Sequence, residues 1–111
     1  MEQAYQGTAA LLNSGAEFTA LFTVSDAMAI AAIKALSDRG RSVPEDCSVI
    51  GIDGIGLSNF CIPTLTTMVQ PVEQMARESV HILLDMLYKG APSRHLLLPT
   101  TLREGASIRQ L

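Results

Sequence analysis

Two rhythms of apolar and polar positions run along this chain. Between residues 3 and 14, Ala4, Ala9, Ala10, Leu11 and Leu12 stand among polar residues, and the run stops at Asn13, Ser14 and Gly15, the chemistry of a helix end. The next stretch, FTALFTV at 18–24, is short, unbroken and rich in aromatic and β-branched side chains, which predicts a strand buried on both faces. Ser25 and Asp26 follow, with side-chain oxygens for the open N–H groups of a helix over AMAIAAIKALSDRG, whose stop is Gly40. VPED is turn chemistry with Pro44 fixing φ, and CSVIGID predicts a second buried strand ending at Asp53 and Gly54.

Helix, strand, helix and strand joined by short turns predict parallel strands linked by right-handed crossovers, the doubly wound α/β pattern. Ligands bind such sheets beyond the carboxyl ends of the strands, which puts Ser25, Asp26 and Asp53 on one rim. After a loop, GIGLSNFCI, comes PTLTTMVQP at 63–71, an uncharged stretch bracketed by two prolines. It fits either an edge strand or a strand passing from one packing layer to another. Pro71 suits the first turn of a helix in which Val72, Met75, Ala76, Ser79, Val80, Leu83 and Leu87 recur at intervals of three and four, and Gly90 and Pro92 end it. HLLLP reads as a last short strand and TTLREGASIRQL as an extended tail.

Composition narrows the function classes. A chain of 111 residues holds one ordinary domain, and 48% hydrophobic against 17% charged residues describes a globular chain with a core. The net charge is −3 and the eight cations, Lys34, Arg39, Arg41, Arg77, Lys89, Arg94, Arg103 and Arg109, are scattered, so no phosphate-neutralising surface is expected. The first residues carry no basic run before an apolar core, and no apolar run reaches a membrane span, which reads as cytoplasmic with no membrane partner. Cys47 and Cys61 match no zinc or redox spacing and read as buried free thiols; His81 and His95 have no ligand-spaced companions, so no metal is expected. GIDGIG has the wrong glycine spacing for a dinucleotide fingerprint, and no cofactor is expected.

Taken in order, FTALFTVSDAMAIAAIKALSDRGRSVPEDCSVIGIDG, PTLTTMVQP and LREGASIR resemble the effector-binding region of the lactose and galactose repressor (LacI/GalR) family of bacterial transcription regulators, over residues 18–109. The resemblance implies a type I periplasmic-binding-protein-like body: two α/β lobes joined by three crossing strands, with a small, sugar-like effector held between them. This chain would supply part of the C-terminal lobe (1–66 and 97–111), a crossing strand (67–70), and a helix (71–90) packed on the other lobe. Leu96–Pro99 would bring the chain back. Small β-branched residues without charge suit a strand that must fit two layers. No helix-turn-helix segment lies within the 111 residues, so operator DNA would be bound only through a segment outside them. The resemblance also implies a homodimer, with contacts on the helix through Met28, Ile30 and Ile33 and on the loop near Phe60 and Cys61.

Each candidate has a structural role to weigh against the functional one. Asp53 can accept two hydroxyl hydrogen bonds from a sugar, or bind its own backbone in a turn. Asp26 suits helix capping first and ligand contact second; Ser25 divides evenly between the two. Phe60 could stack on a sugar face, although packing is the commoner use. Met28, Ile30 and Ile33 suit core packing as well as a dimer. The competing functions are a periplasmic-type sugar receptor, which shares the fold, and an α/β enzyme using Asp53 or Asp26 as nucleophile or base. The second lacks a Lys or His partner beside those aspartates.

Overall fold

A computed structural model describes residues 1–110. Its elements are α1 (Glu2–Asn13), β1 (Ala20–Phe22), α2 (Asp26–Ser37), β2 (Ser48–Asp53), a 3-10 turn (Gly56–Asn59), β3 (Thr66–Val69), α3 (Val72–Lys89) and β4 (Thr101–Arg103). One sheet holds all four strands in the order β1-β2-β3-β4. The first two pairings are parallel and the last is antiparallel, with Phe22 level with Ile50, Gly51 with Thr67, Asp53 with Val69 and Met68 with Leu102.

The chain divides into two compact units, Met1–Val69 with the residues from Thr101 on, and Gln70–Thr100. In the first, α2 lies between α1 and β2. Its alanines make this possible: Ala29, Ala31, Ala32 and Ala35 are all buried, and side chains that small let a helix be covered on two sides. Larger residues fill the remaining space, and Ile33, Leu36, Cys47, Val49 and Leu65 form the core with Ala29, flanked by Leu12, Phe18, Leu21, Val43 and Cys61. Ile33, for which the resemblance implies a subunit contact and whose type equally suits the core, is only 6% exposed and packs in this core. A polar tie joins the two helices: Tyr5 Oη–H donates to Asp38 Oδ2 at 2.8 Å, and Lys34, one turn earlier in α2, pairs with the same carboxylate.

Two expectations about strands are corrected. FTALFTV does not run as a doubly buried strand. Only Ala20–Phe22 pair, and the outward-facing Phe22 is 64% exposed because β1 is an edge with no layer over that face. HLLLP is not a strand; the chain returns to the sheet later, at Thr101, where Thr101–Arg103 can pair antiparallel with β3. Within PTLTTMVQP, Thr66–Val69 form β3, which is not an edge: it sits between β2 and β4, and the first unit gives way to the second after Val69.

The tail does more than trail. Ser107, fully buried, sits where the β2–β3 ladder has not yet begun. Its hydroxyl donates to the Val49 carbonyl at 2.6 Å and accepts from the Thr66 N–H at 2.9 Å, and its own carbonyl accepts from the Val49 N–H at 2.8 Å. One side chain therefore satisfies polar groups of two strands where neither reaches the other. Ser107→Ala removes it without adding volume and leaves a buried N–H unmatched, so it is expected to lower stability by about 2 kcal/mol. The check is a fall in the urea midpoint at unchanged m-value.

In the second unit, α3 starts after Pro71 and ends at Gly90, which takes the left-handed conformation (φ 62°) that a helix stop favours. None of its residues is buried. Met75, Val80 and Leu83, which the helical spacing assigns to a core, are 42%, 54% and 54% exposed.

Candidate functional site

The carboxyl edge of the sheet gathers the candidate residues because β1 and β2 run parallel. Three residues past the Phe22↔Ile50 pair, one strand leads to Ser25 and the other to Asp53. The β1 end is held by Thr23, whose N–H and hydroxyl both donate to the Ile50 carbonyl, at 3.0 and 3.2 Å. Ser25, extended at φ −157°, caps α2: its Oγ accepts from the Met28 N–H at 3.3 Å. Accepting that bond leaves the hydroxyl proton able to donate outward.

Asp53 closes β2 with φ 121°, the one positive-φ residue other than glycine among those described. An L side chain is strained in that region by roughly 1–3 kcal/mol, and such strain persists where the surrounding structure imposes it. Here Gly54 (φ 77°) follows at once, in a turn so tight that a Cβ on it would lie 2.7 Å from Val69 Cγ1. The backbone thus turns away sharply and leaves the half-exposed Asp53 carboxylate at the strand end, where it can accept hydrogen bonds from a polyol.

Asp26 behaves differently from the expectation of a cap or a ligand contact. It occupies the first turn of α2, yet it is 0% exposed, and Ser25 does the capping. Its carboxylate points inward, where Oδ2 accepts from the Ile55 N–H at 2.9 Å and Oδ1 from the Thr67 hydroxyl at 2.5 Å. The pattern SD shows that an oxygen-bearing pair precedes a helix; which of the two caps and which turns inward is set by the facing elements. Arg103 was not singled out from sequence. From β4 it donates to the Gly54 carbonyl at 3.4 Å and to Ser58 Oγ, and so holds the rim turn from its far side. A lone arginine in a tail gives no periodic signal that would have found it.

The other candidates separate by exposure. Phe60 is 82% exposed and Ile62 92%, with Ile55 and Leu57 also exposed on the same turn. Met28 is 38% exposed on α2 and Ile30 half-buried. Cys61 is half-buried, its thiol facing the carbonyls of Ser58 and Pro63 at 3.3 and 3.2 Å. Cys47 is buried, and desolvation pushes its thiol pKa up, which keeps it protonated and inert. Among the described residues no cluster of His, Cys, Asp or Glu could hold a metal ion, and no helix is long and apolar enough to cross a membrane.

Comparison with known proteins agrees with this geometry. Residues 2–108 match the model of the periplasmic binding protein-like domain. The HTH-type transcriptional regulator MalR of Clostridium butyricum is 40% identical over 101 residues, covering 91% of this chain and 30% of that protein. A LacI family transcriptional regulator from Arthrobacter sp. FB24, solved in complex with lactose, superposes with a TM-score of 0.83 at 34% identity, over 96% of this chain and 40% of that one. The lac repressor dimer bound to operator and an anti-inducer superposes with a TM-score of 0.88 at 33% identity, over 95% of this chain and 37% of that one. This chain thus spans about a third of the length of such relatives. They are transcriptional regulators and not enzymes, so the reading of Asp53 or Asp26 as a nucleophile or base lapses. Shared sequence, shared fold and the polar rim at the strand ends lead to one conclusion: the chain belongs to the LacI family of transcriptional regulators and holds the C-terminal part of their periplasmic binding protein-like domain.

Proposed function

We propose that this chain is the effector-sensing part of a cytoplasmic transcription regulator and forms one wall of a site for a sugar-like molecule. The observation that carries the reading is Asp53: a carboxylate at the end of a central strand, in strained backbone, on the same carboxyl edge of the sheet from which the neighbouring β1 leads to Ser25. In this scheme Asp53 accepts hydrogen bonds from two sugar hydroxyls and Ser25 donates one. Asp26 supports them from beneath. The opposite wall, and the segment that binds operator DNA, belong to the rest of the regulator. The exposed apolar face of α3 is covered by that remainder. Effector binding shifts the balance between two arrangements of the lobes, to the extent that it favours one of them.

Phe60 is assigned to a subunit surface and not to the pocket. Ile55, Leu57 and Ile62, near it in the chain, are exposed as well, as is Met28 on α2, the helix that contacts this turn, and exposed apolar side chains of this kind suit a second copy. Ile30 and Cys61 flank them. The transport-receptor reading has the shared fold in its favour and nothing further, since the relatives are regulators.

Calorimetric titration of the intact regulator with a panel of mono- and disaccharides and nucleosides tests this. Asp53→Ala is expected to weaken binding by at least about tenfold, since hydrogen bonds to a charged group contribute roughly 1.5–3 kcal/mol. Asp53→Gly should lose the same affinity while keeping the fold at least as stable as Asp53→Ala does, because glycine adopts φ 121° without strain. Unchanged affinity in both would remove Asp53 from the site, and no binding of any panel member by the wild-type protein would remove the sensor reading.

A further inference from the structure

We infer that Asp26 is a positioning residue: its buried carboxylate clamps the rim turn after β2 and the strand β3 to the start of α2, and thereby fixes where Ser25 and Asp53 stand. The inference rests on the effector-site reading above and deepens it. Three elements meet at this one side chain. Asp26 follows Ser25 directly in the chain. Ile55, whose N–H it accepts at 2.9 Å, comes two residues after Asp53. Thr67, whose hydroxyl it accepts at 2.5 Å, pairs in the ladder with Gly51, two residues before Asp53. Asp53 is thus bracketed by two positions that the same carboxylate touches or abuts.

The space for this arrangement comes from an absent side chain. A Cβ at Gly51 would lie 2.5 Å from Asp26 Oδ1 and 3.3 Å from Asp26 Cα, so glycine lets the carboxylate reach across the sheet to Thr67. Asp26 and Thr67 are both 0% exposed, and water cannot replace the hydrogen bond between them. A carboxylate in such a place is tolerated only when its oxygens are matched, which leaves the clamp one arrangement and not a range of them. A helix cap would order α2 alone. This group, set inside the helix and aimed at two other elements, makes the rim turn move with α2 and β3 as one piece.

Hydrogen exchange in the 111-residue chain tests the clamp without a ligand. Thr67→Val keeps the shape and removes the donor. The Ile55 amide, with those of Ser58 and Phe60 in the same turn, is then expected to exchange about tenfold faster, while those of Thr23 and Ser48, bonded elsewhere in the sheet, stay at the wild-type rate. Thr67→Ser restores the hydroxyl and should restore the rates. Asp26→Asn gives a second measurement that does not depend on Thr67→Val folding: it keeps the volume, weakens both hydrogen bonds, and should speed the same three amides selectively. An unchanged Ile55 amide in these variants, or a rise spread evenly over Thr23 and Ser48, overturns the inference. In the intact regulator, Thr67→Val should weaken sugar binding and Thr67→Ser recover it. A regulator that binds no sugar defeats the functional reading, while the exchange pattern still decides the clamp.

Discussion

Gly105→Ala is expected to be among the most damaging single-methyl changes in the chain. The added Cβ would lie 2.5 Å from the Thr64 carbonyl oxygen, 2.7 Å from the Leu65 carbonyl carbon and 2.8 Å from its oxygen. All three are backbone atoms with no rotamer to change, so the tail itself must lift. Lifting it strains or breaks the Gly105 N–H bond to Thr66 Oγ1 at 3.0 Å and the Ala106 N–H bond to the Thr64 carbonyl at 2.8 Å, and pulls on the Ser107 bridge beyond them. Overpacking at about 1–3 kcal/mol with two or three hydrogen bonds at about 1 kcal/mol each suggests a loss of about 4 kcal/mol, a large part of an ordinary domain's stability. Gly7→Ala is the control: nothing lies within 4 Å of its Cβ, it sits inside α1, and it should gain about 0.5–1 kcal/mol. Urea titrations of the two variants should move in opposite directions. A Gly105→Ala protein as stable as wild type would show that the tail is not seated as described.

Gly51→Ala is the second. Its nearest conflict is a side-chain atom, Asp26 Oδ1, but that atom cannot retreat cheaply. The carboxylate is fully buried and bonded at both oxygens, Asp26 Cα stands 3.3 Å behind it, and Leu65 Cδ2 lies 3.0 Å to the side. Room for the methyl comes only by breaking the bond to Thr67 inside the protein or by moving β2 away from α2. Overpacking together with the loss of one charge-assisted hydrogen bond amounts to about 3 kcal/mol or more. In a domain of this size that corresponds to a fall in Tm on the order of 10–20 °C, readable by circular dichroism. Gly51→Val should go further and prevent folding. A Gly51→Ala protein melting within a few degrees of wild type would mean that the pocket around Asp26 is looser than its geometry shows.

Both predictions concern glycines that local sequence reading passes over. Gly54 and Gly90 stand beside turn or helix-stop residues and show themselves as punctuation. Gly51 lies in mid-strand in SVIGID, and Gly105 in a tail read only as extended; each is required by a neighbour far away in the chain, Asp26 in one case and Thr64–Leu65 in the other. The site was legible to the same depth. That Ser25 and Asp53 share a rim follows from two apolar strands separated by one helix, since parallel strands bring their carboxyl ends together. That Asp26 turns inward and Arg103 reaches the rim turn does not follow, because both depend on partners 29 and 45 or more residues distant.

What the sequence determined by itself is therefore the local and periodic part: an alanine-rich helix able to lie under a sheet, two short apolar strands, a proline-led amphipathic helix, and the run of motifs that marks the family. Burial preference and helix capping act over a few residues, and their pattern can be read directly. Only the tertiary structure decided which side chains do double duty. β1 lost one covering layer, Ile33 went to the core, the returning strand formed at Thr101 and not within HLLLP, and Ser107 came to bridge β2 and β3. The physical reason is the same in each case: a buried hydrogen bond or an open face depends on which distant element arrives beside it, and that arrival is fixed by the packing of the whole unit.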